Sequence, residues 1–372
     1  MVSDRPVGIF LSGGLDSNII LASLKSSGYK NIDTFSIGFE LNSKQAEDKF
    51  NTDFNLARRS SEFFGTRHHE VTLGHEEIPQ LFEDVVWHLD EPVAVPTALS
   101  VLKLSRYATD KVKVILTGNG GDELFLGYER YRLSLLADIY QKYLPTIIRD
   151  RFSNFNEQFK KLNTPRGLDR YALFMFQNQG PKGLEWIKNQ ESLASPKEFF
   201  RPLFTSLGEA NSEYDESLPR ADRLTWLPNQ SLVISDKMSM AASLEIRVPM
   251  LDRNVCSLAD SIPYQWKIDV SSKQKKILRE AFRDVLPPFL LTQDKRGWFS
   301  PGSKWLRQEN MRTFWKDLLN QNYYEETAGL FDFDELNRLF DEHYEKGIYS
   351  ANLLWPVLTF QLWARKFKVK VQ

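Results

Sequence analysis

One segment near the start of the chain has the residue types and the order that suit phosphate binding. Residues 11–17 read Leu-Ser-Gly-Gly-Leu-Asp-Ser and lie between an apolar run and a helical pattern. Glycines let the backbone turn tightly towards an anion, and the free N–H groups at a helix start favour negative charge. The carboxylate of Asp16 would repel a phosphate unless a divalent cation lies between them, so Mg²⁺ is expected. The phosphate-binding candidates are Leu11, Ser12, Gly13, Gly14, Asp16 and Ser17.

This segment differs from two common nucleotide-binding motifs. It lacks the lysine of a Walker A loop, and it lacks the G-x-G-x-x-G spacing of a dinucleotide-binding loop. A plain strand–turn–helix corner is the alternative interpretation. Such a corner needs glycine for its geometry, but it requires neither flanking serines nor an aspartate. We therefore prefer a phosphate loop.

A second glycine-rich segment repeats the same pattern later in the chain. Residues 117–123 read Thr-Gly-Asn-Gly-Gly-Asp-Glu and follow another apolar run. In an open α/β sheet, ligands bind outside the carboxyl ends of the strands, so both loops are expected to face one crevice. Thr117 and Gly118 are then further candidates for binding phosphate. Asp16 and Asp122 could share the magnesium ion.

The order of predicted strands and helices explains how the two loops would be positioned. Helical patterns separate four strand candidates, at residues 7–11, 34–39, 67–73 and 112–116. Such alternation predicts an α/β fold, with a parallel sheet and helices on both faces. After about residue 127 the helical patterns dominate. We therefore predict an α/β core over residues 1–130, which carries both glycine loops, and a helical extension over residues 131–372.

Composition argues against several classes of protein. The chain has 372 residues, with 48 Lys+Arg against 49 Asp+Glu and a formal net charge of -1. This balance gives no general attraction to nucleic acid or to an anionic membrane. The single cysteine, Cys256, excludes an internal disulfide, and no zinc-binding spacing or signal segment is present. A cytoplasmic protein is the expectation.

The adjacent histidines of the third strand candidate invite a metal-binding hypothesis. Residues 68–70 read His-His-Glu. Adjacent residues of a strand point to opposite faces, and no third ligand follows at a useful spacing. We therefore predict packing and hydrogen bonding for His68 and His69.

The two loops together resemble those of the N-type ATP pyrophosphatases, and among them the synthetase domain of asparagine synthetases. Residues 12–17 match the pyrophosphate loop of that group, and residues 117–123 resemble its Ser/Thr-Gly-acid-Gly-x-Asp-Glu loop. Further matches follow in order along nearly the whole chain. The resemblance implies a ligase that uses ATP and Mg²⁺ to adenylate a carboxylate, with aspartate the first candidate. Pyrophosphate would be released, and ammonia would then open the adenylate.

Activation of a carboxylate by ATP places growing negative charge on the phosphates, which cations must meet. The resemblance implies that two lysines supply this positive charge. Lys237 matches a family lysine upstream of a Glu-x-Arg-Val-Pro signature, which is formed here by Glu245 and Arg247. Lys295, in Asp-Lys-Arg-Gly-Trp, matches the family lysine that contacts the reacting phosphate and acyl group. Most lysines are solvated, so the ordered recurrence of the motifs supports this assignment, and charge alone does not.

The resemblance also assigns the nucleotide and substrate sides of the crevice. Ile37 matches a position where backbone groups contact adenine, although a buried strand end would look the same. Asp90 and Glu91, before a proline, match a segment on the substrate side, as Glu245 and Arg247 do later.

Two positions depart from the family pattern. Asn119 stands where the family usually has Glu or Asp, and Val95 stands where it often has an acid. A carboxylate at position 119 could orient or deprotonate the amine, whereas asparagine forms hydrogen bonds but is not a base. We therefore expect intact adenylation, with nitrogen transfer that is slowed, altered or lost. A catalytically weakened ATP-binding subunit is one alternative.

Other functions and nitrogen sources stay open from sequence. The carboxylate could be a sugar uronate, a peptide side chain or a β-amino acid that closes a lactam. An RNA-modifying ATP pyrophosphatase is a further alternative, which the near-neutral charge disfavours. Glutamine-dependent family members begin with a glutaminase domain whose first residue, after removal of the initiator methionine, is cysteine, whereas Val2 follows the methionine here. Ammonia would then be free, or would come from a separate glutaminase subunit, or another amine would replace it. We expect a split or truncated enzyme.

Overall fold

The computed structural model describes residues 3–41, 43–175, 186–189, 195–208, 214–271, 273–294, 297 and 299–371. Within this part of the chain, five strands form one parallel sheet in the order β3-β2-β1-β4-β5. The strands are β1 Val7–Phe10, β2 Asp33–Phe39, β3 Arg67–Leu73, β4 Val114–Leu116 and β5 Glu245–Arg247. The predicted α/β fold with a parallel sheet is confirmed.

The α-helices of the described residues fall into two groups along the chain. The first group is α1 Leu15–Ser26, α2 Lys44–Phe50, α3 Thr52–Phe64, α4 Ile78–Leu89, α5 Thr97–Ala108, α6 Gly121–Phe125, α7 Glu129–Tyr143, α8 Thr146–Phe155, α9 Glu157–Leu162, α10 Leu168–Met175 and α11 Pro196–Leu207. The second group is α12 Ser217–Leu224, α13 Val233–Met240, α14 Arg253–Ser261, α15 Tyr264–Lys267, α16 Lys276–Ala281, α17 Pro288–Thr292, α18 Gly302–Trp305, α19 Arg312–Leu318, α20 Phe333–Asp341 and α21 Ala351–Lys366. A π-helical segment, Leu227–Leu232, leads directly into α13. None of these helices combines the length and the apolar character that a bilayer crossing requires.

Helices cover both faces of the sheet because its strands are apolar on both sides. Phe35 and Ile115 are fully buried in a cluster with side chains of α4, α5 and α21. Ile9 and Leu116 point to the other face, where they pack with side chains of α1, α14 and α17. Alternate residues of a strand face opposite sides, so each central strand contributes to both clusters.

The sheet order reverses between β1 and β4, which are neighbours in register from Val7↔Val114 to Ile9↔Leu116. Strands β2 and β3 lie on one side of β1, and strands β4 and β5 lie on the other side. In open α/β sheets, ligands bind at this reversal, outside the carboxyl ends of the strands. The two glycine loops follow β1 and β4 directly, so the topology places them side by side.

The fifth strand was not predicted from sequence. β5 pairs with β4 from Val114↔Glu245 to Leu116↔Arg247 and comes from the region predicted to be a helical extension. It has only three residues, too few for an alternating pattern to stand out. The division at residue 130 stays a prediction, and residues 245–247 complete the sheet of the N-terminal part.

The histidines of β3 lie in the environment that sequence predicted. His68 is in hydrogen-bond contact with Oγ1 of Thr34 (2.9 Å) and Oγ of Ser36 (3.0 Å), both on β2. His69 lies 2.8 Å from a carboxylate oxygen of Asp33. No group of three or more His, Cys, Asp or Glu side chains that could hold a metal ion occurs among the described residues.

Candidate active site

The first glycine loop is closed by its own polar side chains. Oγ of Ser17 accepts the N–H of Ser12 (3.2 Å), and Oγ of Ser12 accepts the N–H of Gly14 (3.1 Å). The fully buried Asn18 donates from Nδ2 to the carbonyl oxygens of Ser12 (3.0 Å) and Gly14 (2.7 Å). Asn18 therefore fixes the loop from its place in α1, a role that its position in the sequence did not indicate. The amide of Leu11 donates to the carbonyl of Phe35 (2.8 Å) and extends the sheet contact by one residue.

The second loop lies directly against Asp16. A Cβ atom added to Gly118 would lie 2.7 Å from Cβ of Asp16 and 2.9 Å from the amide nitrogen of Ser17. A Cβ added to Gly121 would lie 2.6 Å from the carboxyl carbon of Asp16. Both glycines are therefore required because the backbone of one loop touches the aspartate of the other. The structure brings the two predicted loops into one site.

A lysine from a distant segment joins the two aspartates. Nζ of Lys275 forms an ion pair with Oδ2 of Asp16 and lies 2.6 Å from Oδ1 of Asp122. Lys275 is 3% exposed and has a left-handed φ of 58°, at the position just before α16. Burial by itself lowers the pKa of the Lys275 ammonium, but the carboxylates of Asp122 and Asp16 outweigh it and raise that pKa. Lys275 therefore carries a buried positive charge at the junction of both loops.

The role of Lys275 was not predicted from sequence. The signal available was the run Lys-Gln-Lys at residues 273–275, followed by Lys276 at the start of a helix. Lys273 and Lys276 instead form half-exposed ion pairs, with Asp294 (2.6 Å) and Asp269 (2.7 Å). Only the folded chain distinguishes the buried lysine from its neighbours.

Some buried polar atoms at the loops lack a hydrogen-bond partner among the described residues. They include Oδ1 of Asp16 and Oγ1 of Thr117. Buried polar atoms in folded proteins are nearly always paired, so these two are open to a ligand. Thr117 is held in place through its backbone, because its N–H donates to the carbonyl of Arg247 on β5 (3.0 Å).

The charges of Asp16, Asp122 and Lys275, where the two loops meet, affect which ligands can bind there. Asp16, Asp122 and Lys275 together carry a net charge of about -1 when all are ionised. A polyphosphate would be repelled unless divalent cations accompany it. Magnesium is commonly held by one or two carboxylates together with substrate phosphates, so Asp16 and Asp122 fit such an ion without a third acid.

The predicted catalytic residue Asn119 faces the segment that leads into α13. Its Nδ2 atom donates to Oγ of Ser231 (3.1 Å) and to Oγ of Ser235 (3.0 Å). Ser231 belongs to the π-helical segment and Ser235 to α13. Asn119 is thus fixed between the second glycine loop and this helix.

The structure brings two other predicted residues, Lys237 and Asp90, into contact. Nζ of Lys237, on α13, donates to the carbonyl of Leu89 at the end of α4 (2.5 Å) and lies 3.3 Å from Oδ2 of Asp90. Asp90 has a left-handed φ of 62°, and its carbonyl accepts Nε1–H of Trp363 (2.7 Å). Lys237 therefore holds the start of the predicted substrate-side segment.

The other predicted nucleotide and substrate residues lie on β2, on β5 and just after α4. Ile37 is buried in β2, two residues before Phe39, whose N–H and C=O both bond to the side chain of Asn51 (2.8 and 2.9 Å). Glu245 and Arg247 form an exposed ion pair with each other along β5 (2.6 Å). Glu91 is exposed.

Lys295 lies outside the described residues, so its predicted role stays a prediction. The segment before it reaches the first loop, where Nε2 of Gln293 donates to the carbonyl of Gly13 (3.3 Å). Arg279 fixes that segment by donating to the carbonyls of Leu290 (2.8 Å), Leu291 (2.9 Å) and Gln293 (3.1 Å).

Comparison with known proteins identifies the group to which this site belongs. A model of the asparagine synthase family matches residues 1–365. The chain belongs to the asparagine synthase family. This match supports an ATP-dependent ligase.

Relatives in this family differ in similarity and in name. A Mycobacterium tuberculosis H37Rv protein, named putative asparagine synthetase (glutamine-hydrolyzing), is 32% identical over 98% of this chain and 55% of its own length. Asparagine synthetase (glutamine-hydrolyzing) 1 of Bacillus subtilis is 29% identical over 98% of this chain and 56% of its own length. Amidase chyE of Penicillium rubens is 23% identical over 82% of this chain and 50% of its own length. The chain therefore spans about half the length of these relatives.

Proposed function

We propose that this chain is an AMP-forming amide synthetase. In the proposed reaction a carboxylate, with aspartate the first candidate, attacks the α-phosphate of ATP and displaces pyrophosphate. Ammonia then opens the acyl-adenylate. The observation that carries the proposal is the junction at which Lys275 joins Asp16 of the first loop to Asp122 of the second.

Each part of the junction has a role in the adenylation step. The first loop presents backbone N–H groups at the start of α1, which suits the oxygens of the leaving pyrophosphate. Lys275 supplies a positive charge that is already buried and in position where negative charge develops, which favours the transition state. Asp16 and Asp122 would hold Mg²⁺, which neutralises phosphate charge when bound. The hydroxyl of Thr117, which has no hydrogen-bond partner among the described residues, can add a hydrogen bond to the same group.

The carboxylate substrate would lie beyond the α-phosphate, towards the segment that Lys237 holds. Asp90 and Glu91 begin that segment, and Val95 lies in it, partly buried against the apolar cluster under α4 and α5. An apolar residue at this position suits more than one carboxylate. A related amide or lactam synthetase acting on another acid is therefore the second candidate. The relative named amidase chyE is compatible with variation in this family.

The nitrogen source is also part of the proposal. We infer that ammonia reaches this site either free or from a glutaminase domain or subunit outside residues 1–372. The names of the relatives from M. tuberculosis and B. subtilis include glutamine hydrolysis, and both proteins are longer than this chain.

Exchange of labelled pyrophosphate into ATP tests the adenylation step directly. We expect exchange that requires both Mg²⁺ and a carboxylate, in a panel of aspartate, glutamate, a sugar uronate and a β-amino acid. With ammonia present, AMP and amide should form in equal amounts. Formation of ADP and phosphate in place of AMP, or no exchange with any acid, would contradict the proposal.

A further inference from the structure

The environment of Asn119 differs from what a general base would need. Its Nδ2 group donates to both Ser231 and Ser235, which are four residues apart and therefore lie on one face of the helix. Two donated bonds use both hydrogens of the amide nitrogen. The orientation of the side chain is fixed by these bonds.

Because Nδ2 is bonded to both serines, the carbonyl oxygen Oδ1 is the remaining polar atom of the Asn119 side chain. Among the described residues, Oδ1 accepts no hydrogen bond. The backbone next to it touches Asp16, through Gly118. Within the described part of the chain, Asn119 thus offers one unpaired acceptor from the second glycine loop.

The helix that holds Asn119 is itself attached to the second loop. Nε1–H of Trp226, just before the π-helical segment, donates to Oη of Tyr128 (3.3 Å). The hydroxyl of Tyr128 donates to the buried Glu123 of α6 (2.7 Å). π-Helical segments often occur at functional sites, and this one contributes Ser231. The helix and the loop are therefore held together at two separate points.

We propose that Ser231 and Ser235 are positioning residues, which hold Asn119 so that its Oδ1 accepts a hydrogen bond from an uncharged amine. This inference rests on the proposed amide synthetase function. Asn119 orients the amine and takes no proton from it, because an amide oxygen is not a base at neutral pH. The site therefore selects amines that are already uncharged.

The nitrogen-transfer step balances without a side-chain base. The nitrogen lone pair of ammonia attacks the acyl carbon and forms the C–N bond. The bond between that carbon and the oxygen bridging to phosphorus breaks, and its electron pair stays with the departing AMP. The extra proton of the nitrogen passes to that phosphate oxygen. The products are the amide and AMP, with all atoms accounted for.

The test compares two amines in matched variants at one pH near neutrality. Hydroxylamine is mostly uncharged there, whereas ammonia is mostly protonated, so the native protein should prefer hydroxylamine. The double variant Ser231→Ala/Ser235→Ala should raise the KM for ammonia about tenfold, since it frees the side chain of Asn119. Its pyrophosphate exchange should fall much less than its amide formation. Ser239→Ala is the control, because Ser239 lies one turn further along α13 and bonds to the carbonyl of Asp236 (3.1 Å).

The variant Asn119→Asp replaces the amide with a carboxylate of nearly the same shape and is compared with the same two amines. It should raise the kcat for ammonia relative to hydroxylamine, because a base can now take the proton. If the ratio of kcat for ammonia to kcat for hydroxylamine is the same in Asn119→Asp as in the native protein, the inference is wrong. It is also wrong if the double variant loses pyrophosphate exchange and amide formation to the same extent. Neither of these results contradicts the adenylation proposal, provided that the native protein exchanges pyrophosphate into ATP. If the native protein shows no exchange, both the adenylation proposal and this inference are wrong.

Discussion

Nζ of Lys275 lies 2.6 Å from Oδ1 of Asp122, and the same ammonium group pairs with Asp16, 259 positions away in the chain. The contact joins the start of α16 to both glycine loops. It also compensates two largely buried carboxylates, which would otherwise repel one another. We therefore expect Lys275 to contribute both to the proposed nucleotide site and to the stability of the fold.

The variant Lys275→Met tests this dependence. Removing one partner of a buried ion pair leaves uncompensated charge, so we expect the free energy of unfolding to fall by about 3 kcal/mol in urea denaturation. Pyrophosphate exchange should be lost at least hundredfold, as measured on the folded fraction.

The neighbouring variant Lys276→Met is the control for Lys275→Met. Its ion pair with Asp269 is half exposed, so it should cost no more than about 1 kcal/mol. Similar losses in the two variants would show that Lys275 has no special position.

Gly118→Ala tests the contact between the two loops. The added Cβ would lie 2.7 Å from Cβ of Asp16 and 2.9 Å from the backbone of Ser17, so one loop must shift. We expect a loss of about 1–3 kcal/mol in stability, the usual effect of overpacking, and weaker ATP binding by calorimetry. Gly329→Ala is a matched substitution with no heavy atom within 4 Å of the new Cβ, and it should leave ATP affinity unchanged. Native ATP affinity in Gly118→Ala would contradict the described contact.

Lys237→Met tests whether this lysine positions the segment that begins at Asp90. Loss of its bonds to Leu89 and Asp90 should raise the KM for the carboxylate roughly tenfold or more, since hydrogen bonds to charged groups are the stronger class. The dissociation constant for ATP should change much less.

Lys366→Met provides the comparison for Lys237→Met, because Lys366 pairs with Glu83 on the same helix, α4, but away from its end (2.9 Å). We expect no effect of Lys366→Met on the KM for the carboxylate. If Lys237→Met weakens ATP binding and carboxylate binding equally, Lys237 acts on the phosphates and not on this segment.

His68 predicts a dependence of stability on pH. Burial is the main cause that lowers the pKa of its imidazole below the usual value. As pH falls below about 6.5, the unfolded chain takes up this proton first, so the stability that His68 contributes is full above that pH and is lost below it. His68→Gln should reduce the fall in unfolding free energy between about pH 7 and pH 5. His75→Gln, in the turn after β3, is the control. If the free energy of unfolding has the same pH dependence in the native protein, His68→Gln and His75→Gln, the prediction is wrong.

The two glycine loops were predictable because the pattern that forms them is local. A strand, a glycine turn and a helix start are consecutive in sequence, and the acids at positions 16 and 122 lie within those turns. The convergence of the loops followed from the general rule for parallel sheets, and the order β2-β1-β4 supplied the arrangement that the rule requires.

The contacts across the site were not predictable in this way. Nothing in the sequence distinguishes Lys275 from Lys273 and Lys276, because its burial depends on a left-handed turn and on two aspartates that only the fold brings near. The serines that hold Asn119 and the strand β5 come from the part of the chain where helical patterns dominate.

The sequence by itself therefore determined the fold class, the two glycine loops and the residue types proposed to bind phosphate, since each depends on neighbours within one turn of chain. The tertiary structure alone decided which cation joins the acids, which partners orient Asn119 and where Lys237 binds. These depend on pairs of residues more than a hundred positions apart, and ion pairs and hydrogen bonds of that kind have no periodicity that a sequence could display.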